Sequence, residues 1–286
     1  MQPVMKSKTL RLLRAPLLAY VAVCGFVGAC QRTLIYHPIH GSESEMLAEA
    51  SNAHCEPWRD ASNAIIGWKS AKRAGQPIAA NRVVVFDGNT GYALNRGYYL
   101  DGFERLAGGK NWEVYLFEYP GYGARAGQVN ERSFIEAGEK ALASLMAGDS
   151  RPVYLLGELL GSGLACALAE RHPDRVAGLF LVTPYARMGD VAAHRFGFLP
   201  VRLMLRDAWD NVAALRAYRG PVAILIAGED EVVTAAQGRL LYQSYEGPKR
   251  LWTDPDAGHN TIDFGASAPW WREVSNFLLG NASRRL

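Results

Sequence analysis

The chain has 286 residues, 49% of them hydrophobic and 21% charged, with a formal net charge of +3 and a mean hydropathy of −0.08. Those values exclude a disordered tail, a collagen-like repeat and a multi-span membrane protein; the length suits one large α/β domain, with two small domains as the alternative. A core of that size needs no disulfide framework, and four Cys would not supply one.

Lys6, Lys8, Arg11 and Arg14 lie in the first 29 residues, which contain no acid, so the rest of the chain is near neutral. A nucleic-acid surface would need clustered Lys and Arg on the folded part, and none is expected. An apolar run over residues 15–29 follows the cations, as in a secretory signal, with Pro16 near its start where a helix tolerates it. The run ends Val27-Gly28-Ala29-Cys30, which resembles a bacterial lipobox whose Cys30 would carry the lipid. Three readings follow: a lipoprotein attached at Cys30, an uncleaved helical anchor, or cleaved soluble export. A diacylated Cys would anchor stably where a single chain would not. All three divide the chain into a signal or anchor segment, 1–29, and a domain, 30–286, outside the cytoplasm; the first two hold it at the cell envelope. Cys55 and Cys166 remain for that domain. An oxidising compartment would permit a bridge between them, but Cys166 falls on a helix of small apolar residues, which favours a buried free thiol.

From about residue 65, strands and helices alternate. Ile65-Ile66-Gly67-Trp68 forms an early strand, and further short apolar runs follow at 82–86, 113–119, 152–156, 176–182 and 221–227. Nearly continuous apolar runs of this length predict strands covered on both faces. Between and after them, helical patterns cover 94–106, 131–146, 160–171, 234–245 and 270–279. Repeated strand–helix–strand units imply a parallel sheet with helices on both faces. Residues 185–219 break the rhythm; mostly helical in pattern and interrupted by Pro200, they sit where a small lid could be inserted.

Ligands of such sheets bind beyond the carboxyl ends of the strands, so the loops there decide the chemistry. After the 152–156 strand the chain reads Leu156-Gly157-Glu158-Leu159-Leu160-Gly161-Ser162-Gly163 and opens a helix. Gly two before and two after a central residue is the spacing of a nucleophile elbow, where the turn is tight and the helix passes close to the sheet. Here the chain resembles the α/β-hydrolase superfamily, in particular its membrane-anchored serine hydrolases, which read G-E-S-L-G-S-G. Leu159 stands where their Ser would be. Other loops fit the same resemblance. Asp87-Gly88-Asn89-Thr90-Gly91 matches the family's H-G-N-x-G oxyanion loop with Asp87 in place of His. Tyr119-Pro120-Gly121-Tyr122-Gly123 matches its G-Y-G loop. Gly228-Glu229-Asp230 lies where the triad acid falls, with Glu229 and Glu231 as rivals to Asp230. Gly258-His259-Asn260, after a strand near Leu251, lies where the catalytic His falls. The order nucleophile, acid, His is that of the family.

The resemblance implies an α/β-hydrolase fold: a mostly parallel central sheet, helices on both faces, and a small lid at about 185–219. It implies a Ser-Asp-His relay acting on an ester, thioester or peptide bond, with Asp230 and His259 in place and the Ser position vacant. The backbone N–H groups of Leu160 and of the loop at Asn89 would form the oxyanion hole. No metal or nucleotide cofactor is expected, since there is neither a phosphate loop nor a His or Cys cluster. His37, His40, His54, His172 and His194 show no ligand spacing, and Asp254 and Asp256 beside Pro255 look like turn formers. The expected partners are a small-molecule or acyl compound and, through the N-terminal segment, a membrane.

Leucine has no nucleophilic atom, so no acyl-enzyme can form at residue 159. Three accounts remain: a binding protein that keeps the pocket, a hydrolase disabled by one change (Ser and Leu codons can differ by one base), or a displaced nucleophile. Ser162 is the local candidate for the last, but its place inside the helix suits close packing better. A bulky residue at the strained elbow costs about 1–3 kcal/mol, which a long-settled binding protein would be expected to relax. That favours a disabled hydrolase; Asp87 argues the other way. A different enzyme using Asp230 and His259 alone as acid and base is a further alternative.

Overall fold

The computed structural model describes residues 5–71, 78–106, 112–265 and 268–282; the side chains of 5–13, including Lys6, Lys8 and Arg11, and of 105 and 106 lie outside that description. Helix α1 (Met5–Ile35) runs unbroken through Pro16 and Cys30. It leads into a two-residue strand, β1 (His37–Pro38), and α2 (Glu43–Asn52). Ser42 caps α2 with a full capping box to Glu45. Strands β2 (Cys55–Arg59), β3 (Ile65–Ser70) and β4 (Asn81–Phe86) follow, then the short β5 (Thr90–Gly91) paired with β1.

The helix expected at 94–106 is broken into a 3₁₀ turn (Ala93–Arg96), α3 (Tyr98–Asp101) and a π-type turn (Gly102–Leu106). Gly102 is required where this segment meets the core, since a Cβ there would lie 2.1 Å from the Trp271 ring. Beyond it come β6 (Trp112–Phe117), α4 (Glu131–Met146), β7 (Val153–Glu158), α5 (Leu160–Arg171) and β8 (Val176–Val182). The expected lid holds α6 (Met188–Arg195), α7 (Val201–Met204) and α8 (Asn211–Ala214). Only α6 and α7 stand out as a cap, because from Trp209 the chain returns to the core through Val212, Ala214 and Leu215. Strand β9 (Val222–Ala227), α9 (Ala235–Ser244), β10 (Lys249–Asp254) and α10 (Trp270–Ala282) complete the fold.

The eight-stranded sheet has the order β10-β9-β8-β7-β4-β6-β3-β2, parallel from β10 to β6 and antiparallel at β3 and β2. Pro57 is accommodated in β2 because that strand is the sheet edge. Along β4, Val84 and Phe86 enter the core under α4 and α5, while Val83 and Val85 enter the core under α2, α3 and α10. Strands β7 and β9 divide in the same way. The period of two is present, but both faces are buried, so the sequence shows continuous apolar runs. Strand β4 lies between β6 and β7, which makes the β4/β7 boundary the switch point of the sheet.

Helix α1 is fastened to the cap by side chains. Gln31, 6% exposed, donates from Nε2 to the carbonyls of Gly28 (2.7 Å) and Met204 (3.2 Å), and its Oε1 accepts from the Arg206 N–H at 2.7 Å. Arg32 pairs with the buried Asp207 at 3.0 Å. Gln31→Ala leaves the Met204 carbonyl and the Arg206 N–H without these partners, a loss of about 1–3 kcal/mol. The expected outcome is trypsin cleavage after Arg202 and Arg206 faster by about tenfold, since cleavage tracks the open population.

Candidate active site

Four strand ends converge on one pocket of about 680 Å³. From β7 comes Leu159, held at φ +53° and ψ −111°, a left-handed half of backbone space that a branched residue enters only when its surroundings compel it. The surroundings do so. The Leu159 N–H donates to Val182 O at 3.0 Å, and the Leu159 carbonyl accepts from the N–H (3.1 Å) and Oγ (2.6 Å) of Ser162. The flanking glycines are required by close approach: a Cβ on Gly157 would meet Gly161 O at 2.4 Å, and one on Gly161 would meet Phe86 O at 2.0 Å. Ser162 is fully buried, with its Oγ also accepting from Asn211 Nδ2 at 3.1 Å, which engages it in packing rather than in the pocket.

From β9 comes Asp230, 5% exposed, whose Oδ1 accepts the N–H groups of Val232 and Val233 at 2.8 Å each. From the loop after β10 comes His259, with Nδ1 at 2.9 Å from both Asp230 oxygens. Asp230 is thus the acid that engages His259; of its two rivals, Glu231 lines the pocket and neither pairs with the imidazole. The bond to Nδ1 leaves Nε2 as the nitrogen free for other work. From the loop after β4 comes Asn89. Its carbonyl accepts from His37 N–H (2.8 Å) and Tyr122 Oη (2.9 Å), and its Nδ2 donates to Ile35 O at 2.7 Å, tying the loop to the end of α1. Leu159, Leu160, Asn89 and His259 all face the same pocket.

Asp87 does not open into this pocket. It is 2% exposed, its carboxyl oxygens have no hydrogen-bond partner among the described residues, and burial holds its carboxyl well above the ordinary carboxylate range. The neighbouring Arg96 opposes that shift but is itself bound to Glu158 at 3.1 Å. Glu118, buried at the end of β6, is raised to about 7 by the same desolvation, against the Ala93 N–H and Trp68 Nε1 that donate to it. A raised carboxyl means that the folded state holds protons that the unfolded state releases. The stability these groups give is full below the unfolded values near pH ~4 and is lost as pH rises through the folded ones, at up to about 1.4 kcal/mol per pH unit for each. Asp87→Asn is expected to remove one of the two slopes, so the urea midpoint of the variant falls less between about pH 5 and about pH 7 than that of the unaltered chain.

Several pocket residues were not marked as such by the sequence reading. Val27, Gly28, Gln31, Leu34 and Ile35 of α1 form one wall, and His37, which has no ligand spacing, lines it too. The cap supplies Val191, Phe196 and Met204. Cys30 lies within the continuous helix, and Cys55 and Cys166 are buried and free. Among the described residues no group of three or more His, Cys, Asp or Glu could hold a metal ion.

No family model matches the chain. An uncharacterised protein of Mycobacterium tuberculosis is 30% identical over 257 residues, covering 86% of this chain and 88% of its own. The alpha/beta hydrolase domain-containing protein WAV2 of Arabidopsis thaliana is 25% identical over 184 residues, 58% of this chain and 60% of its own. Among solved structures, an esterase of Pyrococcus furiosus superposes with a TM-score of 0.62 over 87% of this chain and 98% of its own, at 15% identity.

Proposed function

Because the chain belongs to the α/β-hydrolase superfamily, we propose that it derives from a serine hydrolase of esters, thioesters or peptides and, with Leu159 at the nucleophile position, is inactive or strongly impaired. The observation that carries this reading is the elbow itself. Leu159 retains the strained φ of +53° while Asp230 and His259 retain a 2.9 Å contact. A turn costing about 1–3 kcal/mol has its purpose in presenting a nucleophile to a base, and the base and its orienting acid are still there. The roles assigned are Asp230 as orienter, His259 as general base, and the N–H groups of Leu160 and Asn89 as the oxyanion hole.

A second reading has its own support. The half-buried Leu159 adds an apolar surface to an already apolar pocket, which suits a protein that binds an acyl compound without turning it over. Labelling by a fluorophosphonate separates the two. The unaltered chain is expected to stay unlabelled and Leu159→Ser to label, with the signal lost again in Leu159→Ser/His259→Ala. No labelling of a folded Leu159→Ser would leave binding as the function. Turnover by the unaltered chain that His259→Ala abolishes and Leu159→Ser does not change would point to acid–base chemistry by Asp230 and His259.

We also propose that the domain lies at the cell envelope, outside the cytoplasm, a reading that the N-terminal apolar helix supports. Residues Arg14–Ile35 are long and apolar enough to cross a membrane. Of the anchors read from the sequence, the retained helix has the support of the contacts that join α1 to the cap. Lipid attachment at Cys30 would remove Val27 and Gly28 from the pocket wall.

A further inference from the structure

Building on the reading of this pocket as an acyl site, we infer that its ligand is the acyl chain of a bilayer lipid, which enters directly from the membrane between α1 and the cap. The first observation is that the helix able to enter a membrane is also a wall of the site. Val27, Gly28, Gln31, Leu34 and Ile35 share one helical face, and that face lines the pocket holding Leu159 and His259. A chain sliding along α1 therefore reaches the triad position without crossing water.

The second observation is the surface around the mouth. The part of α1 that precedes the pocket exposes Leu17, Leu18, Val21, Val23 and Phe26 on its outer surface, and the cap beside it exposes Phe198 (68%) and Leu203 (89%). Tyr20 Oη donates to Phe198 O at 3.0 Å, which sets this part of the cap level with the middle of the apolar helix. Helix and cap thus present a continuous apolar surface of a kind that water does not favour and a membrane does. Exposed Arg195 and Arg206 flank Phe198 and Leu203 in the chain, and Arg195 also lines the pocket. Cations beside apolar side chains match anionic headgroups over hydrocarbon.

Length fixes the depth. Residues 15–26, before α1 meets the pocket, cover about 18 Å at 1.5 Å per residue, short of the roughly 30 Å hydrocarbon core. Since Phe198 lies beside Tyr20, lipid that covers the apolar helix along its length also reaches the cap edge and the pocket mouth. The pocket volume, about 680 Å³, lies within the roughly 300–1,000 Å³ that encloses a whole small ligand.

The test uses the full chain in phosphatidylcholine–phosphatidylglycerol vesicles that contain a phosphatidylcholine with a diazirine at the end of one acyl chain. After irradiation, adducts are expected on pocket residues Leu34, Val191, Phe196 or Met204 as well as on the outer face of α1. Val191→Trp is expected to lower the pocket adducts by at least about tenfold and leave those on the outer face unchanged. Ala192→Trp, on the same cap helix, is a second block; α6 has no buried residues, and of the two positions Val191 alone packs against the core, so Ala192→Trp tests the block without that contact. Adducts confined to the outer face, pocket adducts that both variants leave intact, or pocket labelling by a diazirine fatty acid but not by the phospholipid would each overturn the inference. So would mature protein that begins at Cys30. Fluorophosphonate labelling of Leu159→Ser without pocket adducts would overturn this inference alone. Pocket adducts without such labelling would support it and remove the hydrolase reading.

Discussion

Leu159→Ser is expected to raise turnover of a short activated ester by at least about 10³-fold over the unaltered chain. The magnitude follows from what one atom completes. The elbow holds residue 159 at φ +53° whatever its side chain, because the Gly157 and Gly161 contacts and the bond to Val182 O fix the backbone. A Ser there needs no rearrangement to reach the pocket that His259 lines. His259 is already oriented through Nδ1 by Asp230, whose carboxylate is held by two backbone N–H groups. In serine hydrolases the nucleophile and base act as a unit, so supplying the missing member returns most of the chemical term at once. Two controls make the result specific. Leu159→Ala opens the same space without an oxygen and is expected to stay inactive. Leu159→Ser/Asp230→Asn is expected to lose up to about 10⁴-fold relative to Leu159→Ser, because the imidazole then takes the wrong tautomer. Asp87 sets no barrier to this gain, since it is buried outside the pocket that His259 lines and its burial favours the neutral form. A flat response in a folded Leu159→Ser would mean that the pocket positions ligands but not a tetrahedral intermediate.

The sequence exposes the sheet and the loop stations because both rest on local signals. The strand expected at 176–182 and the helices expected at 131–146 and 160–171 have the bounds found in the structure. The start of α4 is set by a local device, Asn130 accepting from Ser133 N–H. The meeting of Leu159, Asp230 and His259 follows from their all being strand-end residues in a parallel sheet, where strand ends share one edge. What the sequence hides is contact between distant segments. Nothing in residues 27–35 indicates that they pack on residues 188–207, because an apolar helix face reads the same against lipid as against protein. Gln31 was the available hint, a polar residue at the end of an apolar run that needs partners if buried. Two smaller elements were missed for other reasons. Pro57 disguises β2, which tolerates it only as an edge strand. Helix α2 was signalled by Ser42 and Glu45 three residues apart, a capping box standing before a run too short and too polar to attract notice.

Gly161→Ala is expected to cost at least about 3 kcal/mol of stability, enough to unfold a marginal domain. Its Cβ would lie 2.0 Å from Phe86 O, 2.5 Å from Phe86 C and 2.8 Å from Asp87 O. All three are backbone atoms at the end of β4, a central strand bonded to β6 on one side and β7 on the other. A flexible side chain could turn aside, but this strand cannot move without breaking two ladders, so α5 must lift instead. Lifting α5 would also shift Leu160 relative to Asn89, so the variant should lose the pocket geometry even where it stays folded. Gly280→Ala is the matched control. Gly280 lies in α10 with no heavy atom within 4 Å of its Cβ position, and there the same methyl should stabilise by up to about 1 kcal/mol through helix propensity. Urea midpoints moving in opposite directions for the two variants would locate the cost at the contact between α5 and β4. A Gly161→Ala midpoint within error of the unaltered chain would instead show that helix and strand are not held at this separation, and the strained turn at Leu159 would lose its cause.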